Sequence, residues 1–183
     1  MRSSTSSLVR SAGAEVVGTA LVVLGGPGLL LFGGPELGTL GVAICYDVEF
    51  PLLVRRQVEA GAALVLVPSC TDTLAGYHRV SISCRARALE NQCFVLQSPT
   101  VGDAPWSLAL DVNVGAAGIF GPIEQRLYPD GIVALGALNE SGWVHAELDL
   151  EALAAARRDG QVRNHRDWDA PGHLASSVER VQL

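Results

Sequence analysis

The sequence predicts one α/β domain, and three observations lead there. Short apolar runs without charge recur at Leu40 to Cys45 (LGVAIC), Ala63 to Val67 (ALVLV) and Cys93 to Gln97 (CFVLQ), as parallel strands covered on both faces require. Between them lie stretches with apolar residues at helical spacing, closed by Gly or opened by Pro. The chain has 183 residues, 49% of them hydrophobic and only 17% charged, which suits one domain with a real core and excludes disorder.

The first strand, Leu40 to Cys45, is followed by Pro51, a residue suited to open a helix. Leu53, Val54 and Val58 form the apolar stripe of that helix, opposite Arg55, Arg56 and Glu59, with Arg55 and Glu59 spaced to pair at i, i+4. Gly61 stops it, and Ala63 to Val67 follows as a second buried strand ending at Pro68, completing a βαβ unit. A second helix covers Ala75 to Asn91, where Tyr77, Val80, Cys84 and Ala88 recur at helical spacing. The third strand is Cys93 to Gln97. Right-handed crossovers set these strands side by side, with Cys45, Ser69, Cys70 and Gln97 at the carboxyl edge where open α/β sheets bind ligands.

Beyond Val101 the pattern turns to strands divided by turn residues. Gly115 to Phe120, Gly131 to Ala137 and Gly142 to Leu148 are separated by Pro129-Asp130-Gly131 and Asn139-Glu140-Ser141-Gly142, which predicts antiparallel pairing. Asp149 is placed to cap a last helix, Leu150 to Asp159, with Arg157 and Arg158 complementing its C-terminal dipole before Gly160. Gln161 to Leu183 is polar and reads as a tail that either wraps or frays. At the other end, Met1 to Ser11 is Ser-rich, so residues 1–15 are expected to be a disordered N-terminus. Val16 to Pro35 carries no charge for 20 residues, but its glycines and Pro27 break it into pieces too short for a membrane helix.

Thirteen basic against nineteen acidic residues leave a net charge of -6, and no basic run is interleaved with aromatics, which argues against nucleic-acid binding. All thirteen basic residues are Arg, so the polypeptide by itself supplies no Lys ammonium group. The four cysteines, Cys45, Cys70, Cys84 and Cys93, have no metal-ligand spacing and read as free thiols of a cytoplasmic protein, and neither metal nor cofactor is expected.

Cys45 carries the candidate chemistry. A thiol at the end of a buried strand, just before a turn and a helix, is held on a rigid element where a nucleophile is needed. Cys84 and Cys93 read as small buried hydrophobes. Asp47 reads as satisfying turn amides, Glu49 flanks the nucleophile, and Ser69 and Cys70 are candidate pocket residues. His78, on the second helix, is an alternative base for a Cys-His pair. Trp106 and Trp143 read as core or interface residues.

The segment Gly41 to Pro51, GVAICYDVEFP, resembles the nucleophile segment of the carbon-nitrogen hydrolase (nitrilase) superfamily. GAALVLVPS, Gly61 to Ser69, looks like that family's next strand, and RARALENQCFV, Arg85 to Val95, is similar to its following helix and strand. Gly115 to Arg157 resembles its closing strands and last helix, so the likeness runs in order from Leu40 to Trp168.

The resemblance implies an αββα sandwich, homo-oligomeric through its helices, that hydrolyses a small amide, nitrile or N-carbamoyl compound through a Cys thioester. It assigns Cys45 as nucleophile and the Tyr46 N–H as an oxyanion donor, with Ser69 and Cys70 beside the substrate. The family's general base Glu and its Lys lie upstream of the Cys, and neither Glu15 nor Glu36 stands in a matching context. The chain therefore reads as the C-terminal two-thirds of such an enzyme: an N-terminally truncated domain over residues 16–168, then a tail over residues 169–183. Its partners would be a small substrate and like subunits, with no nucleic acid and no membrane. The alternative is a non-catalytic remnant that binds a partner or a homologous subunit, and a third reading is a different Cys hydrolase using His78.

Overall fold

The computed structural model describes residues 30–32, 39–125 and 127–168. The expected disordered N-terminus (1–15), the expected tail (169–183), Glu15, Glu36 and most of Val16 to Pro35 lie outside them.

The apolar runs become adjacent strands. Among the described residues, β1 (Leu30–Phe32), β2 (Thr39–Val42), β3 (Ala62–Ser69), β4 (Phe94–Pro99), β7 (Gly118–Phe120) and β8 (Ile132–Leu135) form one sheet in the order β1-β2-β3-β4-β7-β8. A separate two-stranded ladder joins β5 (Gly102–Asp103) to β6 (Val112–Asn113). β2, β3 and β4 run parallel, with Val42 opposite Leu66 and Leu66 opposite Leu96. The connections are α1 (Pro51–Glu59) and α2 (Leu74–Asn91), so the βαβ reading holds. β7 pairs antiparallel with β4, and β8 with β7. Two further helices, α3 (Leu150–Asp159) and α4 (Asn164–Asp167), follow.

Strand alternation divides the core in two. Val65, Val67 and Val95 point toward Val54 and Val58 of α1 and Val80, Cys84 and Ala88 of α2. Leu64, Leu66, Phe94 and Leu96 point the other way, where Leu153 of α3 and the partly buried Val144, Ala146, Leu148 and Leu150 pack on them. Each fully buried side chain of this size contributes about 1.5–3 kcal/mol. The described residues thus supply a helix layer and a sheet layer of the αββα arrangement. The second face is not bare, because Leu64 and Leu66 keep 8% and 4% of their surface exposed.

Local chemistry explains the boundaries. Pro51 opens α1, and Gly61 takes φ +104° where the chain turns into β3. At Gly41 a Cβ would collide with the Gln57 side chain, and its absence lets α1 lie close on β2 while Gln57 Nε2 donates to the Val42 carbonyl at 2.7 Å. Thr73 caps α2 by accepting from the Gly76 N–H at 3.1 Å, and Asp149 caps α3 by accepting from the Ala152 N–H at 2.8 Å.

Two expectations need correction. Gly142 to Leu148 keeps the alternating burial of a strand but joins no ladder, because one buried edge is enough to set a period of two. Arg55, expected on the solvent face of α1, is only 5% exposed. Its Nε pairs with Glu59 at 2.7 Å as the spacing predicts, its NH2 donates to the His165 carbonyl at 3.2 Å, and its guanidinium lies 4.9 Å from the Trp168 ring. Of the two courses expected for the polar segment from Gln161, residues 161–168 take the wrapping one, held to the domain through Arg55 and Gln92.

Candidate active site

Cys45 stands three residues beyond the last residue of β2, at the start of a 3-10 turn (Cys45–Glu49) that leads into α1. Its backbone has φ +49°, a left-handed conformation that costs a residue with a Cβ about 1–3 kcal/mol and persists only when neighbours impose it. The neighbours are identifiable. The Ile44 N–H donates to Asp47 Oδ2 at 3.1 Å, and the Asp47 N–H donates back to the Ile44 carbonyl at 2.9 Å, so Asp47 staples the chain across Cys45. Phe50 closes the turn by donating to the Asp47 carbonyl at 3.1 Å.

Cys45 is partly exposed, and its sulfur donates to the Cys70 carbonyl at 3.5 Å. Cys70, just past β3, is also partly exposed, and its own thiol donates to Asn113 Oδ1 at 2.9 Å. Thr100 Oγ1 donates to the same oxygen at 2.7 Å, while Asn113 Nδ2 donates to the carbonyls of Leu110 and Gly102 at 2.9 and 3.2 Å. All four hydrogen-bonding capacities of Asn113 are thereby used. Thr71 and Val114 exchange two further bonds, Thr71 Oγ1 to the Val114 carbonyl at 2.8 Å and the Val114 N–H to the Thr71 carbonyl at 2.7 Å. Together these fasten the 100–114 excursion to the edge that holds Cys45.

The other sequence candidates are placed as follows. Tyr46 is exposed, its ring edge-on to Phe50 at 4.9 Å. Ser69 is buried and its Oγ has no partner among the described residues, as is true of both polar side-chain atoms of the buried Gln97 on the neighbouring strand. Glu49 pairs with Arg79 of α2 at 3.3 Å. His78 is exposed with its ring against Tyr77, and among the described residues no carboxylate or imidazole is hydrogen-bonded to the Cys45 sulfur. Two open grooves of about 470 and 450 Å³ lie at the Glu124 turn, and neither includes Cys45, Tyr46, Ser69 or Cys70. Asn113 escaped the sequence reading. A lone Asn between two valines gives no spacing signal, and its role appears only through partners 11 to 43 residues away.

The remaining thiols are chemically quiet. Desolvation by burial pushes Cys93 up to about 12, with Arg157 opposing, and raises Cys84 as well, with Arg87 opposing.

The described residues thus define an α/β protein with a left-handed cysteine at the carboxyl edge of its parallel strands, followed by a turn and a helix. A family model described as carbon-nitrogen hydrolase matches residues 6–158, and the chain belongs to that family. It is 38% identical over 132 residues to Probable hydrolase YhcX of Bacillus subtilis, covering 72% of this chain and 26% of that protein. It is 31% identical over 137 residues to the Deaminated glutathione amidase of Bos taurus, covering 75% of this chain and 39% of that one. Its fold is similar to that of Saccharomyces cerevisiae Nit3, a member of branch 10 of the nitrilase superfamily, with a TM-score of 0.59 and 26% identity over 73% of this chain and 45% of that one. The chain spans less than half the length of each of these relatives.

Proposed function

We propose that the chain carries the nucleophile-bearing part of a hydrolase for a small amide, nitrile or N-carbamoyl compound, with Cys45 as nucleophile. The observation that carries this reading is Cys45 itself: stapled at φ +49° by Asp47 and Ile44, partly exposed, and first residue of the turn that follows β2. The Tyr46 N–H would face the oxyanion, and Ser69 and Cys70 would border the substrate. For an amide, the Cys45 thiolate adds to the carbonyl carbon and the tetrahedral oxyanion takes hydrogen bonds from backbone N–H groups. The C–N bond then breaks, the amine leaves with a proton, and water cleaves the resulting thioester to acid and thiol. Full turnover needs a base to take the thiol proton. The amidase name of one relative supports the amide class.

Labelling with iodoacetamide at neutral pH, followed by intact mass, tests the nucleophile. Cys45 should react at least about tenfold faster than free cysteine, and Cys45→Ala should lose that label. A panel of small amides, nitriles and N-carbamoyl compounds should leave an acyl adduct on the wild type alone. Reactivity no greater than that of free cysteine, with no adduct from any substrate, rejects the proposal.

A second reading, a binding remnant that docks on a homologous subunit, is favoured by the absence of any Lys from the chain. Leu52 and Ile82, each 64% exposed on α1 and α2, are the apolar residues a helix-mediated homo-oligomer would cover. Light scattering of the wild type against a Leu52→Glu, Ile82→Glu double variant separates a self-assembling subunit from a monomer. Free thiols at all four cysteines suit the cytoplasm as the compartment.

A further inference from the structure

Four thiols in one domain fall into two pairs. Cys84 and Cys93 are fully buried among aliphatic side chains. Cys45 and Cys70 are partly exposed and meet at the carboxyl edge of two adjacent parallel strands, where Ala43 donates to the Leu66 carbonyl at 3.0 Å.

A disulfide asks about 4.4–6.8 Å of its two Cα atoms, and Cys45 and Cys70 leave the ends of neighbouring strands, three residues past β2 and one past β3. The Cys45 sulfur already touches Cys70: it donates to the carbonyl oxygen, two bonds from the Cys70 Cα, at 3.5 Å. Only the Cys70 side chain is turned aside, toward Asn113 Oδ1. Rotation about its Cα–Cβ bond breaks that one bond, and Asn113 Oδ1 keeps the proton of Thr100. Neither partner is held by rigid packing on all sides, unlike Cys84, whose burial raises its pKa and leaves little thiolate to take part.

We propose that Cys45 and Cys70 form a reversible intramolecular disulfide when the protein meets hydrogen peroxide. In the first step the Cys45 thiolate attacks one peroxide oxygen, the O–O bond breaks, and Cys45 becomes a sulfenic acid while hydroxide leaves and is protonated to water. In the second step the Cys70 sulfur attacks the sulfenic sulfur, the S–O bond breaks, and the oxygen leaves as water with the Cys70 proton. Two thiols lose two electrons and one peroxide becomes two waters. The bond would block the nucleophile and shield it from irreversible oxidation. The inference uses the same sulfur as the proposed hydrolytic site but does not depend on turnover.

The test treats the full chain with hydrogen peroxide over a graded range and reads intact mass, alkylatable thiols after denaturation, and the peptide map. The wild type should become about 2 Da lighter, keep two of its four thiols alkylatable, yield one peptide joining Cys45 to Cys70, and recover fully with dithiothreitol. Cys70→Ser should instead gain about 16 and then about 32 Da at Cys45, with dithiothreitol failing to reverse the second step. Cys45→Ala should form no intramolecular bond. Wild type that gains oxygen at Cys45 while Cys70 stays alkylatable overturns the inference, as does a bond to Cys84, a bond between two chains, or no change where free cysteine is oxidised. An acyl adduct on Cys45 without the disulfide leaves the hydrolytic reading standing and removes this one; a disulfide without an adduct does the reverse.

Discussion

Cys45 and Gln92 both hold a left-handed backbone, at φ +49° and +45°, and they sit at opposite ends of the parallel strands. Cys45 follows β2 at the carboxyl edge, whereas Gln92 ends α2 just ahead of β4. Gln92 is buried, and its amide is spent on structure: Nε2 donates to the Val162 carbonyl at 3.1 Å, Oε1 accepts from the His165 N–H at 3.1 Å, and its own carbonyl accepts from Arg157 Nε at 2.8 Å. Cys45 makes one weak bond and remains partly exposed. The same backbone strain thus closes a helix in one place and presents a sulfur in the other. What separates the two positions is whether the side chain's bonding capacity is used up by the fold.

The largest effect that sharpens this contrast comes from Cys45→Gly. It should abolish rapid iodoacetamide labelling at this position, while relief of the left-handed strain raises stability by about 1 kcal/mol in urea melts. A fall in stability would show that the thiol, like Gln92, supports the fold. Gln92→Ala should cost about 3 kcal/mol, since it loses several buried bonds and leaves a Cβ in the same conformation, and Gln92→Gly should recover about 1 kcal/mol of that. Equal losses in the two variants would mean that strain has no part there.

Smaller effects test the staples around each residue. Asn113→Ala should lower stability by about 1–2 kcal/mol and leave the Cys70 and Thr100 donors unpaired, read as faster hydrogen exchange across residues 100–114. Asp47→Ala removes the acceptor of the Ile44 N–H and should cost about 1 kcal/mol while slowing labelling of Cys45.

The smallest effect is a pH dependence at the Gln92 end. Desolvation, with Arg157 and Arg55 nearby, lowers the His165 pKa in the folded chain. The unfolded chain then binds the proton more readily, so stability is complete above the ordinary imidazole value of about 6.5 and is lost as pH falls through it toward the lower folded value. His165 is partly exposed, and solvent screening keeps the difference slight. His165→Gln keeps the backbone bonds to Gln92 and Arg55 and should flatten the wild-type decline between neutral pH and about pH 5. An unchanged profile would place the pH dependence elsewhere.

The parts of the fold legible from residues alone are those governed by near neighbours along the chain. Continuous apolar runs marked β2, β3 and β4, Pro51 and Gly61 bounded α1, and Asp149 capped α3, all within a few residues of where they were read. Cys45 was legible because a strand end followed by a turn and a Pro is a local pattern. Arg55 was misread, since the carbonyl and ring that bury it come from residues 165 and 168. Asn113 and Gln92 went unread for the same reason.

By itself the sequence determined the strand and helix periods, the caps, the absence of Lys and the position of the candidate sulfur, because each rests on local backbone preference or on composition. Only the tertiary structure decided which polar side chains are saturated and which thiols stay partly exposed. Those outcomes depend on contacts between distant segments, and it was chain closure around the sheet that set Cys45 against Cys70 and left Cys84 and Cys93 inert.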